Sequence, residues 1–213
     1  IGSTLGLYLY LLKYKHEVRV IAPNDYPDFL KWMPSENTIL KYDMQTEESD
    51  IQINQAEIIF TLDFNALNRT GEMETILAKS DATKIMIDHH LNPEEFPDLT
   101  ISETTASSTA QLIVELIEQS ENLELLDEKI GTPLYVGILT DTGSFRFNSV
   151  KPRTHEILAK VLAAGVPHDL IHEKLNDTNT ESRLRLQGFA MSEKLEILYN
   201  HNVGIISLSK EEL

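Results

Sequence analysis

The sequence predicts an α/β protein built on a parallel sheet. Two near-continuous apolar runs, 57–62 (EIIFTL) and 84–87 (KIMI), have the composition of strands buried on both faces. Segments of helical period alternate with the strand-like segments, giving helix, strand, helix, strand, helix, strand over the first half. The second half is helical by the same criterion.

Leu5, Leu9 and Leu12 recur at helical spacing with Tyr8 beside them, so 3–14 reads as a helix. Residues 17–22 (EVRVIA) alternate and are rich in β-branched side chains, and Pro23-Asn24-Asp25 breaks that strand. A short helix follows over 26–32, ending before Pro34. Residues 71–80 read as a helix, and 100–102 as a short strand. Five helices are expected near 107–120, 127–140, 152–164, 167–175 and 180–194, the first with Ser107-Ser108 as its capping pair. Two short strands near 195–199 and 203–208 have no evident partner in the helical region, so 195–213 reads as a hand-over to a second domain.

The bulk composition narrows the function. A chain of 213 residues is long enough for one large domain, or for one domain and a fragment. With no cysteine, disulfides, zinc–thiolate sites and thiol nucleophiles are excluded. No apolar run approaches the roughly 20 residues that span a bilayer, and the apolar opening lacks the basic leader and small-residue cleavage site of a signal peptide. The expectation is a cytoplasmic protein without membrane association. A formal charge of −16, with no Lys/Arg cluster, disfavours long nucleic acids as partners. The chain starts without Met, inside a helix, as a segment of a longer protein would.

Three positions stand where chemistry is expected. Asp63 directly follows one apolar strand, and Asp88-His89-His90 directly follow the other. Parallel α/β sheets bind ligands at the carboxyl ends of their strands, so Asp63 and His89 would face one crevice. Asp141 lies in Thr140-Asp141-Thr142-Gly143, where an apolar helix meets a glycine. Each has a plain structural alternative: Asp63 as a turn former, the histidines as packed side chains, Asp141-Thr142-Gly143 as a helix stop. Carboxylates with imidazole and no sulfur suit Mn²⁺ or Mg²⁺, without excluding Zn²⁺ or Fe²⁺. Two such ions about 3.5–4 Å apart are a common device for phosphoester hydrolysis.

Several stretches carry a family resemblance: Ile1-Gly2-Ser3, Thr61-Leu62-Asp63, Ile87-Asp88-His89-His90, and 137–145 (GILTDTGSF). In this order and spacing the chain resembles DHH-family phosphoesterases. The stretch 105–111 (TASSTAQ) resembles the oligoribonuclease/pAp-phosphatase branch of that family. The resemblance implies a parallel-sheet domain with helices on both faces, covering 1–194, and a C-terminal substrate-binding domain of which 195–213 is the start. It implies two divalent metal ions, with Asp63 as the carboxylate between them and His89 and Asp141 as ligands of one. His90 is implied to face the scissile phosphate as a charge stabiliser or proton donor, with Asp88 orienting His89 or His90. Arg146 and Arg153 are candidate phosphate contacts, with surface salt bridging as the alternative for each. Family members carry a His-x-x-Pro-Asp-x-Asp motif ahead of the Ile-Gly-Ser stretch, which supplies further ligands, so the chain as given is expected to be inactive or nearly so.

The implied activity is hydrolysis of short nucleotide substrates: oligoribonucleotides of a few units, linear dinucleotides, or pAp. A homodimer is compatible with this reading. Two alternatives are a manganese-dependent inorganic pyrophosphatase and a nucleotide-binding module without catalysis. The plainest reading is an α/β scaffold with incidental Asp and His.

Overall fold

The computed structural model describes residues 1–176 and 180–212. The chain divides into two compact units, Ile1–Ile171 and His172–Leu213. The division falls earlier than position 195, where the sequence places the hand-over. The resemblance places the helix over 180–194 in the first domain. In the structure it buries only Ala190 and leaves Leu184, Phe189 and Met191 exposed. Residues 177–179 and 213, which the expected domains include, lie outside the described residues.

The first unit opens with α1 (Gly2–Leu12), followed by β1 (Val20–Ala22), β2 (Ile39–Lys41), α2 (Thr46–Gln55) and β3 (Ile58–Leu62). Next come α3 (Glu74–Lys79), β4 (Thr83–Asp88), β5 (Leu99–Ser102), α4 (Thr109–Gln119), α5 (Glu128–Asp141), α6 (Pro152–Ala163) and the start of α7 (His168–Asn176). All strand pairing in this unit is parallel, as the sequence predicts. β1 pairs with β2, and β4 lies between β3 and β5. Short 3₁₀ turns occupy Asp28–Leu30, within the helix expected over 26–32, and Leu67–Met73, which takes the first three residues of the helix expected over 71–80.

The apolar faces of α1, α4, α5 and α6 pack on one another. Leu5, Ile113, Ile117, Ile130, Leu134, Ile138 and Ile157 are fully enclosed there. A second cluster joins Tyr42, Ile53, Leu67, Met73 and Leu77 around the β1–β2 and β3 strands. Helix starts are fixed by local chemistry. Ser108 caps α4 by accepting from the Gln111 N–H, and Asp127 caps α5 by accepting from the Ile130 N–H at 3.0 Å. Pro152 opens α6, where its missing N–H costs no hydrogen bond.

The second unit contains α8 (Glu181–Glu193), β6 (Leu195–Leu198) and β7 (Val203–Ile206). The two strands pair antiparallel with each other, which answers the missing partner at the level of sequence. Among the described residues no helix is long and apolar enough to cross a membrane.

Candidate metal centre

Strand register determines which side chains meet. Leu62 at the end of β3 lies opposite Ile87 in β4, so the residues after both strands emerge side by side. Asp63 leaves β3 with a φ of 68°, in the left-handed region that Asp tolerates better than most residues, and its N–H donates to the Ile87 carbonyl at 3.2 Å. The following loop is pinned to the segment after the histidines. Asn65 Nδ2 donates to the Leu91 carbonyl at 2.7 Å, and the Glu94 N–H donates to the Asn65 carbonyl at 2.8 Å. Asp141 arrives from a different direction, as the last residue of α5.

The structure brings Asp63, His89 and Asp141 together. His89 Nε2 lies 3.6 Å from Asp63 Oδ1 and 3.9 Å from Asp141 Oδ2. Both distances are too long for a hydrogen bond. They match the separation of two ligands that each lie about 2.1 Å from one shared ion, roughly 3–4 Å. On its other side, His89 Nδ1 is 3.4 Å from the Ala106 carbonyl. In the tautomer that donates to this carbonyl, Nε2 presents its lone pair to the two carboxylates.

One ligand atom each from Asp63, His89 and His90 lies within 4.8 Å of the others, a cluster that Asp141 joins through its approach to His89. The His90 ring stands 4.5 Å from that of His89, centroid to centroid. The partner of Asp88 is His90 and not His89. Asp88 is fully buried, and its two oxygens accept from His90 Nδ1 at 2.7 Å and from the His90 N–H at 3.0 Å.

The electrostatics favour a cation. Burial, and then the charge of Asp63, push the Asp141 carboxyl up to about 6. Two carboxylates and two imidazoles with no cationic side chain among them suit a divalent ion, and the donor set is hard oxygen with borderline nitrogen.

Neither arginine joins this group in a hydrogen bond or ion pair. Arg146 Nε donates to the Gly143 carbonyl at 2.7 Å. Arg153 pairs with Glu115 at 3.1 Å, with Glu156 at 3.2 Å and with Glu118. Its donors are spent on α4 and α6 carboxylates, the salt-bridging alternative to a phosphate contact. Two residues were missed as contacts. Thr109 Oγ1 donates to Asp63 Oδ1 at 2.9 Å, and Asn65 ties the two site loops together. Thr109 follows a capping serine, which signals a helix start but not the carboxylate it meets.

Comparison with known proteins places the chain in a family. The chain is 31% identical over 192 residues to the bifunctional oligoribonuclease and PAP phosphatase NrnA of Thermus thermophilus, covering 90% of this chain and 54% of the relative. It is 32% identical over 146 residues to the cyclic-di-AMP phosphodiesterase GdpP of Bacillus subtilis, covering 66% of this chain and 21% of that protein. A crystal structure of an exopolyphosphatase-related protein from Bacteroides fragilis superposes with a TM-score of 0.97 at 44% identity, over all of this chain and 62% of the other. The chain thus spans about half the length of the NrnA relative. The DHH family, N-terminal domain, matches residues 1–138, and the chain belongs to that family.

Proposed function

We propose that the protein carrying this chain hydrolyses phosphoesters of short nucleotides with the help of two divalent ions, Mn²⁺ or Mg²⁺. Oligoribonucleotides of a few units, linear dinucleotides and pAp are the substrate candidates. The observation that carries the proposal is the approach of His89 Nε2 to Asp63 and Asp141, at 3.6 and 3.9 Å, with no direct hydrogen bond between them. Asp63, His89 and Asp141 would hold metal. Bound divalent ions lower the pKa of a coordinated water and stabilise charge on phosphoryl oxygens. Asp88 holds His90 through Nδ1, so Nε2 is the atom left to carry a proton toward, or stabilise charge on, a phosphate.

Substrate length follows from charge. A chain of formal charge −16 repels a long polyanion, whereas a substrate of a few phosphates is neutralised locally by the ions. The names of the NrnA and GdpP relatives point to the same substrate class.

The test is a substrate panel with the intact protein in Mn²⁺: pAp, a linear dinucleotide, short oligoribonucleotides and inorganic pyrophosphate. Release of phosphate from pAp or of mononucleotides from the oligomers supports the proposal. Turnover of pyrophosphate alone replaces it with the pyrophosphatase reading. Nucleotide binding without any turnover replaces it with the binding module.

A further inference from the structure

The stretch Ser107-Ser108-Thr109-Ala110-Gln111 has no role in the chemistry above, yet it holds a buried polar network beside the site. Ser107, Ser108, Thr109 and Gln111 are all buried, and Thr109 is completely so. Gln111 Oε1 accepts from the Ser107 N–H at 3.2 Å, from Ser107 Oγ at 2.7 Å and from Thr154 Oγ1 at 3.0 Å. Gln111 Nε2 donates to Glu115 at 3.0 Å. Together with the Ser108 cap, these bonds lock the first turn of α4 against α6. Thr109 projects from that locked turn.

A threonine hydroxyl has a single proton to donate. Thr109 gives it to Asp63 Oδ1 at 2.9 Å, and that same oxygen lies 3.6 Å from His89 Nε2. Asp63 itself sits in a left-handed turn at the end of β3, with its N–H on the Ile87 carbonyl of β4. Its carboxylate is thus held by a helix start 46 residues later in the sequence. An ionised carboxylate offers about four lone-pair positions, and the hydroxyl takes one. The rest stay available for metal.

We propose that Thr109 is a positioning residue: its hydroxyl fixes the Asp63 carboxylate in the orientation that binds metal and so sets the metal affinity of the site. The inference rests on the metal-site reading above and adds a determinant to it. Groups that hold a metal ligand typically contribute 10–100-fold to metal affinity or activity.

The experiment measures Mn²⁺ affinity by calorimetry, and melting of the metal-free protein, on the intact protein. Its variants are Thr109→Val, Thr109→Ser, Asp63→Asn and the double Asp63→Asn/Thr109→Val. Thr109→Val keeps the shape and loses the proton, and is expected to weaken Mn²⁺ binding about tenfold. Thr109→Ser is expected to stay near the wild-type value. The double variant is expected to bind no more weakly than Asp63→Asn alone, because the hydroxyl acts through that carboxylate. If the two losses add, or if Thr109→Val binds Mn²⁺ like wild type while Asp63→Asn does not, the positioning role is overturned and the metal site stands. If Asp63→Asn leaves Mn²⁺ affinity unchanged, the metal-site reading itself fails, and the positioning role with it. Should Thr109→Val fail to fold, Thr109→Ser and Thr109→Ala carry the same test, since only the first keeps a hydroxyl. Equal Mn²⁺ affinity in that pair overturns the proposal.

Discussion

Both oxygens of the buried Asp88 carboxylate are committed to His90, one to its backbone N–H at 3.0 Å and one to Nδ1 at 2.7 Å. His89, one residue earlier, turns its Nδ1 to the Ala106 carbonyl instead. Adjacent imidazoles are therefore oriented by different partners. A carboxylate partner orients the ring and suits a group that gives or holds a proton. A carbonyl partner fixes the neutral tautomer, which suits a metal ligand.

That difference gives the first prediction. In the intact protein, His89→Ala should require more Mn²⁺, with activity recovering at least partly at high concentration. His90→Ala should bind Mn²⁺ nearly normally and remain slow at every concentration, by the 10²–10⁴-fold typical of a lost acid–base group. A Mn²⁺ titration of both variants checks it. Because His90 stands within ligand distance of Asp63 and His89, a raised Mn²⁺ requirement in His90→Ala would reassign it as a ligand.

Asp141 predicts a pH dependence. Its folded pKa is raised, to about 6, by burial and by Asp63. A raised carboxyl pKa contributes stability that is fully present below the unfolded value, near 3.9, and is lost as pH rises through the folded value. The metal-free protein should thus lose stability between about pH 4 and 6 through this group. Asp141→Asn should remove the loss and stabilise the metal-free protein at pH 7 by about 1 kcal/mol, after allowance for solvent screening. Its advantage should vanish below about pH 4. Chemical denaturation at pH 4 and 7, in chelator, measures both. A variant less stable than wild type at pH 7 would show that the repulsion is already relieved.

The site was legible in the sequence where a motif coincides with an element end. Asp63 and Asp88-His89-His90 each follow an apolar strand, and parallel pairing alone places such ends together, although β3 buries only Thr61 and leaves Ile58 exposed where the sequence predicts burial on both faces. Asp141 stands out as the end of an apolar helix before a glycine, and its role as a ligand comes from the family resemblance, since a helix end has no rule comparable to the strand-end rule. β2 and α2 were not legible. β2 has only three residues, Ile39–Lys41, and pairs with β1 across a long loop. α2 buries only Ser49 and Ile53, so it lacks the apolar stripe that period analysis detects. The choice of His90 over His89 as the partner of Asp88, and the contact from Thr109 to Asp63, depend on side-chain geometry within hydrogen-bond distance. No spacing rule resolves that scale.

Gly137 yields the last prediction, because it joins packing to the site. It lies within α5, one turn before Asp141, on the same helical face. A Cβ at Gly137 would lie 2.7 Å from the Ala110 Cβ of α4, while Gly2 Cα of α1 would be 3.6 Å away. Ala110 has no further side chain that could swing aside, so Gly137→Ala must push α5 away from α4. Overpacking of this kind costs about 1–3 kcal/mol. The gain in helix propensity offsets about 1 kcal/mol of it, leaving a net loss of up to about 2 kcal/mol. Moving α5 also moves Asp141 relative to Asp63 and His89, so Mn²⁺ affinity should fall with stability. Gly188→Ala in α8 is the control. Nothing lies within 4 Å of a Cβ there, so the same substitution should be neutral, or stabilising by up to about 1 kcal/mol. Denaturation and Mn²⁺ binding measured on both variants decide it: equal behaviour of the two would show that the α4–α5 contact is not what holds Asp141 in place.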